Sequence, residues 1–445
     1  MMNKVFRRLL DSRNYKEIRS LWEEWNAVDI AALLEEVEGA DRAVLFRLIP
    51  KDKAADVFSY LRHSVQTQLA ESFAEEEMQQ VFEQLHLDDA VDFLEELPAN
   101  LVTRILKTTS GERRAAINTL LHYPSDSAGS VMTTEYVSLH RENTVDQALE
   151  VIRRTGIHKE TIYTCYVLEN RRLLGIVTVK DLLTAPGQTP VEELMETQVV
   201  SVNTHTDQET AARLLAKYDL LALPVTDLEG RMVGIVTIDD AVDVLTEETS
   251  EDMSIMAAVT PGEKSYFETS VWEHARQRVP WLLILMLSAT VTGMIITRYE
   301  AAIEAIPLLV SFLPMLMDTG GNCGSQSSTL VIRGLALEEI QMGDVFRVMW
   351  KEFRVSLVVG AFLAVANGAR IWIMYRDPAI ALVIACSLTV TIVLAKFCGC
   401  ALPILAKRFG MDPAIMAAPL ITTIVDAGAV MIYFYIATAI LHLSV

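Results

Sequence analysis

Cysteine is scarce where it would signal a secreted protein. Five of the 445 residues are cysteine; Cys165 alone precedes residue 270, and Cys323, Cys386, Cys398 and Cys400 lie in apolar surroundings. They give no disulfide framework and no zinc-ligand spacing, which fits a reducing, cytosolic setting for the first part of the chain. Clustered cations are also missing. Residues 1–270 hold 47 Asp and Glu against 26 Lys and Arg, and residues 271–445 hold 11 against 12. Nucleic acid and anionic headgroups need basic patches and are excluded as partners, whereas cations are not. The opening MMNKVFRRLLDSRNYKEIRSLWEEW has no uninterrupted apolar core of a signal peptide and reads as a soluble amphipathic helix. Neither an HExxH motif nor EF-hand spacing occurs, the eight His are scattered, and no hydrolase or transferase constellation stands out, so an enzyme is not expected.

Long apolar runs, by contrast, are plentiful after Pro280. Five are expected to cross a bilayer, at roughly 280–297, 305–332, 355–375, 379–405 and 414–442. Arg276, Arg278, Arg333, Arg347, Lys351, Arg354, Lys407 and Arg408 fall on one side of this arrangement, and only Arg298 and Arg376 on the other. The bias places the acidic half in the cytoplasm and the C-terminus outside.

Between residues 28 and 120 the pattern is helical throughout. AVLFRLIP, ADVFSYLR, QQVFEQLH and AVDFLEELP recur as short amphipathic units, so a winding stack of short helices is expected. A second repeat is sharper: LLGIVTVKDLL from Leu173 matches MVGIVTIDDAV from Met232. Each has a short β-branched strand followed by an Asp at the start of a helix. These copies resemble paired cystathionine-β-synthase (CBS) domains, sheet-and-helix modules related by a pseudo-twofold axis. The resemblance implies adenine nucleotide as a ligand, held through the Gly-x-x-Thr-x-x-Asp elements Gly175, Thr178, Asp181 and Gly234, Thr237, Asp240. The same Thr and Asp residues read equally well as helix caps.

After the second strand, TIDDAVDVLTEETSEDM continues as helix. Steps of three and four put Asp240, Asp243, Glu247 and Glu251 on one face, with Glu248 and Asp252 beside them. Like charges so arranged call for a counter-cation, either Lys or Arg from elsewhere or a hard divalent ion such as magnesium or calcium. A second group, Asp88, Asp89 and Asp92, lies in the helical domain. Cations could hold the two acidic faces together, and repulsion would part them.

One carboxylate, Asp426, sits in the last apolar run within LITTIVDAGAVMIY. A charge there costs several kcal/mol unless it meets water, an ion or a partner. Lys396 and Arg370 are possible neutralisers, although both lie nearer helix ends and could snorkel. The second run, PMLMDTGGNCGSQSSTLVIRG, carries Asp318, Thr319, Asn322, Gln326, several Ser and three Gly at membrane depth. Polar, glycine-rich backbone is tolerated there inside protein or beside a water-filled cavity, so two spans converge on a polar path.

The GGNxGSQ element, with Cys323 at its variable position, and the PLxTTxxD pattern of the last run follow a helical domain and paired CBS domains. This arrangement resembles the MgtE family of magnesium channels over essentially the whole chain; Ala418 stands where some relatives have Asn before the Pro. The resemblance implies a multidomain fold: an all-α domain (1–123), two α/β CBS domains (124–186 and 187–248), a connecting helix segment (249–279) and a five-helix transmembrane domain (280–445). It implies a homodimer in the bacterial inner membrane, with two copies of Asp426 facing one pore and Asn322 and Gly321 lining it. It also implies magnesium sensing by Asp89, Glu209, Asp219, Asp240, Asp243, Glu248, Glu251 and Asp252. The expected function is magnesium influx closed by cytosolic magnesium, with Mg2+ as the ion and ATP as a CBS ligand. A membrane-tethered nucleotide sensor and an ion-coupled magnesium exchanger are the alternatives.

Overall fold

The computed structural model describes residues 2–37, 39–262, 266–267 and 269–443 and divides into two compact units, Met1–Glu247 and Glu248–Val445. Among the described residues the first unit begins with ten helices of eight to ten residues between Met2 and Leu120. Such short helices are not stable alone and persist through packing of one apolar face. Alternate helices supply it, the third packing on the fifth, the fifth on the seventh and the seventh on the ninth, which makes the winding stack expected from the sequence. Buried aromatics run through its core: Phe58 meets Phe46 at 6.1 Å and Phe93 at 5.0 Å, ring edge to ring face.

Two three-stranded sheets follow. In each, the first pair of strands is parallel and the second antiparallel: Val137–Leu139, Thr164–Glu169 and Arg172–Thr178, then Val202–Asn203, Ala222–Thr226 and Met232–Thr237. The modules exchange edge segments. Ile176 bridges to Glu196 and Ile235 bridges to Thr133, so each sheet borrows an extended partner from the stretch leading into the other. This exchange explains the shared Gly of the repeat. A Cβ at Gly175 would lie 2.7 Å from the Glu196 carbonyl, and one at Gly234 would lie 2.6 Å from that of Thr133.

The linker helix Ile238–Met256 starts in the first unit and ends in the second. The segment expected as a separate connecting helix is shared between the end of this helix, the stretch 257–270 and the first turns of Val271–Arg298; residues 263–265 and 268 lie outside the described residues. The second unit contains the helices Val271–Arg298, Leu313–Ala336, Val345–Tyr375, Pro378–Arg408 and Ala418–Leu441.

Among the described residues four helices are long and apolar enough to cross a membrane, not the five expected: Val271–Arg298, Met342–Tyr375, Pro378–Arg408 and Pro413–Leu441. The polar helix Leu313–Ala336 falls short because Asp318, Asn322, Gln326 and its serines interrupt the apolar run. It nonetheless packs against both Pro378–Arg408 and Ala418–Leu441. The glycines expected to weaken it do not break it. They are where other helices come closest: a Cβ at Gly320 would touch Thr391 and Val425, at Gly321 Thr422, and at Gly324 Ile421. Small residues permit this close approach of helix backbones.

Candidate functional site

The acidic helix Leu87–Glu95 and the start of the linker helix meet within the first unit. Asp88 is buried, at 6% exposure, and its carboxylate feels the charges of Asp240, Glu160 and Asp89. Burial first, and then those like charges, hold its pKa well above the ordinary range. Asp89 is pushed up to about 6 by burial, with Glu160, Asp239 and Asp56 adding to the rise and His86 opposing it. Asp240 is pushed up to about 7 by burial and by Asp239, Glu160 and Asp89, while the Thr237 hydroxyl, donating to Asp240 Oδ2 at 2.5 Å, opposes the rise. Asp92 keeps solvent access at the rim of the cluster; crowding by surrounding protein, then Asp240, Asp89, Glu95 and Glu247, raise it as well. Asp243 is raised by burial and by Asp239.

Carboxylates from two elements thus face one another across a seam, and each makes ionisation of the others costly. Oxygen-only donors crowded in this way suit a hard divalent cation, which would replace mutual repulsion with attraction. The structure brings together Asp89, Asp92, Asp240 and Glu247 of the expected set, and Asp243 lies alongside through Asp239. Glu248, Glu251 and Asp252 continue on the same linker helix. Glu209 is paired with Arg213 one turn along its own helix, and Asp219 stands exposed just past that helix with φ of 53°.

Sequence reading missed the cationic end of the seam. His86 Nδ1 lies 3.0 Å from Glu135 Oε2 and 2.6 Å from Glu160 Oε2. Hydrogen bonds to these two carboxylates, Glu135 first, push the imidazole up to about 11, so it carries a positive charge beside Asp89. These three residues also offer ligand atoms within 4.8 Å of one another. They come from three separate segments, so no local spacing signals them.

At the repeated Thr–Asp elements the cap reading holds in the protein alone. Thr178 accepts from the Asp181 N–H and donates to Asp181 Oδ2, completing a capping box. Thr237 makes the same hydroxyl bond to Asp240, but Asp240 also belongs to the acidic seam. An anionic ligand would be repelled there.

In the second unit, Asp426 is half-buried in the last helix and feels the charge of Asp318 on the polar helix. Asn322 Nδ2 donates to Asp318 Oδ1 at 3.2 Å, one turn along. Gly321 lets the polar helix approach Thr422, one turn before Asp426. Asp426, Asp318, Asn322 and Gly321 therefore share one side of the contact between these helices, and Asp318 is an addition to the expected set. Thr422 and Thr423 instead turn their hydroxyls back to the Pro419 carbonyl, each at 2.9 Å. Neither suggested neutraliser serves Asp426. Lys396 is buried and paired with Glu352, and Arg370 reaches the Met315 sulfur.

Comparison with known proteins covers both units. A family model described as divalent cation transporter matches residues 313–436, one described as the MgtE intracellular N domain matches 25–126, and the CBS domain model matches 128–187 and 191–247. The magnesium transporter MgtE of Thermus thermophilus is 38% identical over 440 residues, covering 97% of either chain. That of Bacillus subtilis is 33% identical over 435 residues, 98% of this chain and 96% of its own. Among solved structures, the cytosolic domain of the Mg2+ channel MgtE in complex with ATP matches with a TM-score of 0.52 and 38% identity, over 54% of this chain and 99% of that one. The soluble part of a magnesium transporter matches with a TM-score of 0.52 and 28% identity, over 55% and 97%.

Proposed function

The chain belongs to the MgtE family of divalent cation transporters, and on that premise we propose that it carries magnesium into the cytosol and is closed by the magnesium it admits. The observation that carries the reading is Asp426 on an apolar helix, opposite Asp318 and Asn322 on a polar one. A carboxylate at such a depth is functional by default, and magnesium, which gives up water reluctantly, would meet it as a hydrated ion. Asp426, Asn322 and Gly321 are the proposed pore residues. In a homodimer two copies of Asp426 would face each other across the twofold axis. On this reading the polar helix is a fifth span, shielded by its neighbours from lipid, and residues 280–445 form the pore domain. Residues 1–123, 124–186 and 187–248 are the helical and two CBS domains in the cytoplasm, 249–279 connects them to the pore, and the C-terminus lies outside the inner membrane.

The acidic seam is the proposed sensor, with Asp89, Asp92, Asp240, Asp243, Glu247, Glu248, Glu251 and Asp252 as its carboxylates and Glu209 and Asp219 as outlying members. Magnesium neutralises it at high cytosolic concentration. When magnesium falls, repulsion parts the acidic helix from the linker helix, and the linker carries that change toward the pore. ATP is the proposed ligand of Thr178 and Asp181, with Thr237 and Asp240 the weaker pair.

Magnesium flux into liposomes tests the transport reading, with Asp426→Asn beside the wild type. Flux that the neutral isostere abolishes or makes unselective is the expected result. Equal flux in both would remove Asp426 from the pore. No flux even after magnesium is removed from the cytosolic face would favour a nucleotide sensor, and flux that follows a sodium or proton gradient would favour an exchanger.

A further inference from the structure

The second unit holds a buried charge pair that the proposed pore does not use. Lys396, on Pro378–Arg408, is 5% exposed, and its Nζ lies 3.5 Å from Glu352 Oε2 on Val345–Tyr375. Ser327 of the polar helix joins the two: it accepts from Lys396 Nζ at 3.1 Å and donates to Glu352 Oε2 at 2.6 Å. Three helices therefore meet at one chain of charge-assisted hydrogen bonds. The next residue, Ser328, donates to the Met416 carbonyl at 2.7 Å, immediately before the last helix. Adjacent serines thus tie the polar helix in two directions.

These ties are needed because of what lies beside them. The polar helix approaches its neighbours through Gly320, Gly321 and Gly324, and a Cβ at Gly399 would lie 2.3 Å from the Gly324 carbonyl. A seam of glycines allows close approach but has few side-chain knobs to resist sliding along the axis. Ser327 is five residues beyond Asn322, roughly 7.5 Å along the helix, close enough to fix the height of Asn322 and Asp318 against Asp426.

We propose that Lys396, Glu352 and Ser327 are positioning residues that lock the polar helix in register with Pro378–Arg408 and Val345–Tyr375, and that this lock, with the Ser328 bond to Met416 ahead of the last helix, sets the height of Asn322 and Asp318 against Asp426 and so the magnesium selectivity of the pore. The proposal rests on the pore reading for its selectivity consequence, whereas the register lock itself does not. Two readouts separate them. The first is magnesium flux, with calcium and potassium as competitors, in liposomes containing K396M, E352Q, S327A or K396R at matched amounts of folded protein. The second needs no flux: the rate at which N-ethylmaleimide labels Cys323, buried in the same helix, followed residue by residue by mass spectrometry.

K396M, E352Q and S327A are expected to raise Cys323 labelling and to lower magnesium preference, each roughly three- to tenfold, the range expected for loss of an interhelical polar tie. K396R, which keeps the charge, is expected to stay near wild type in both. If K396M or E352Q does not accumulate folded protein, S327A removes one hydroxyl only and carries the same two readouts. Wild-type-like labelling in S327A and in every variant that folds overturns the lock, whatever the flux. Raised labelling with unchanged selectivity overturns the selectivity role. Absence of wild-type flux would defeat the pore reading, while labelling would still decide the lock.

Discussion

Asp240 combines two roles that its sequence context presents separately. It completes the repeated Thr–Asp element, yet its carboxylate is crowded by Asp239, Glu160 and Asp89. Asp240→Asn keeps the Thr237 hydroxyl bond and removes one like charge. It is expected to stabilise the metal-free soluble unit by about 1–3 kcal/mol and to weaken its further stabilisation by magnesium, both read from thermal unfolding with and without the ion. A loss of stability without magnesium would instead make Asp240 the partner of a resident cation. At Gly399 the constraint is steric. Gly399→Ala would drive a methyl into the Gly324 carbonyl and is expected to cost about 1–3 kcal/mol through overpacking, measured as a lower unfolding temperature in detergent. Wild-type stability would mean that the two helices can separate at no cost.

Between the acidic helix Leu87–Glu95 and the linker helix Ile238–Met256, crowding of carboxylates gives stability an unusual pH dependence. The pKa values of Asp240 and Asp89, about 7 and about 6, lie above the 3.8 expected unfolded. The folded state therefore disfavours their ionised forms. That penalty is full above about pH 7 and is relieved as pH falls through 7 and 6 toward 4. His86, held up to about 11, remains charged throughout this window. The metal-free fragment 1–256 is thus expected to gain stability between pH 8 and pH 5, and saturating magnesium to flatten the gain, since bound metal keeps its carboxylates ionised. A melting temperature that falls on acidification without metal would contradict the seam.

For the whole molecule, the gate predicts that magnesium in the millimolar range protects the cytosolic region from protease. Unchanged cleavage with and without the ion would remove the gate while leaving the pore intact. On the channel reading influx would need no further energy source, because a divalent cation gains about 4.6 kcal/mol per 100 mV of inside-negative potential.

The sequence by itself determined the order of parts, because each is written in a local period: short amphipathic helices, two matched strand-and-helix repeats, and long apolar runs after Pro280. It also singled out Asp426 and the acidic linker, since a charge in an apolar run and like charges at helical spacing are visible without neighbours. Four apolar helices and one polar helix were less legible, because hydropathy cannot tell a lipid-facing span from one packed among its fellows. Only tertiary structure decided that Asp88, Asp89 and Asp92 face Asp240 and Glu247, that His86 is charged between Glu135 and Glu160, and that Lys396 serves Glu352 rather than Asp426. The physical reason is shared by all three: an ionisable side chain is defined by the charge across from it, and that partner sits on another element at a sequence distance no local pattern encodes.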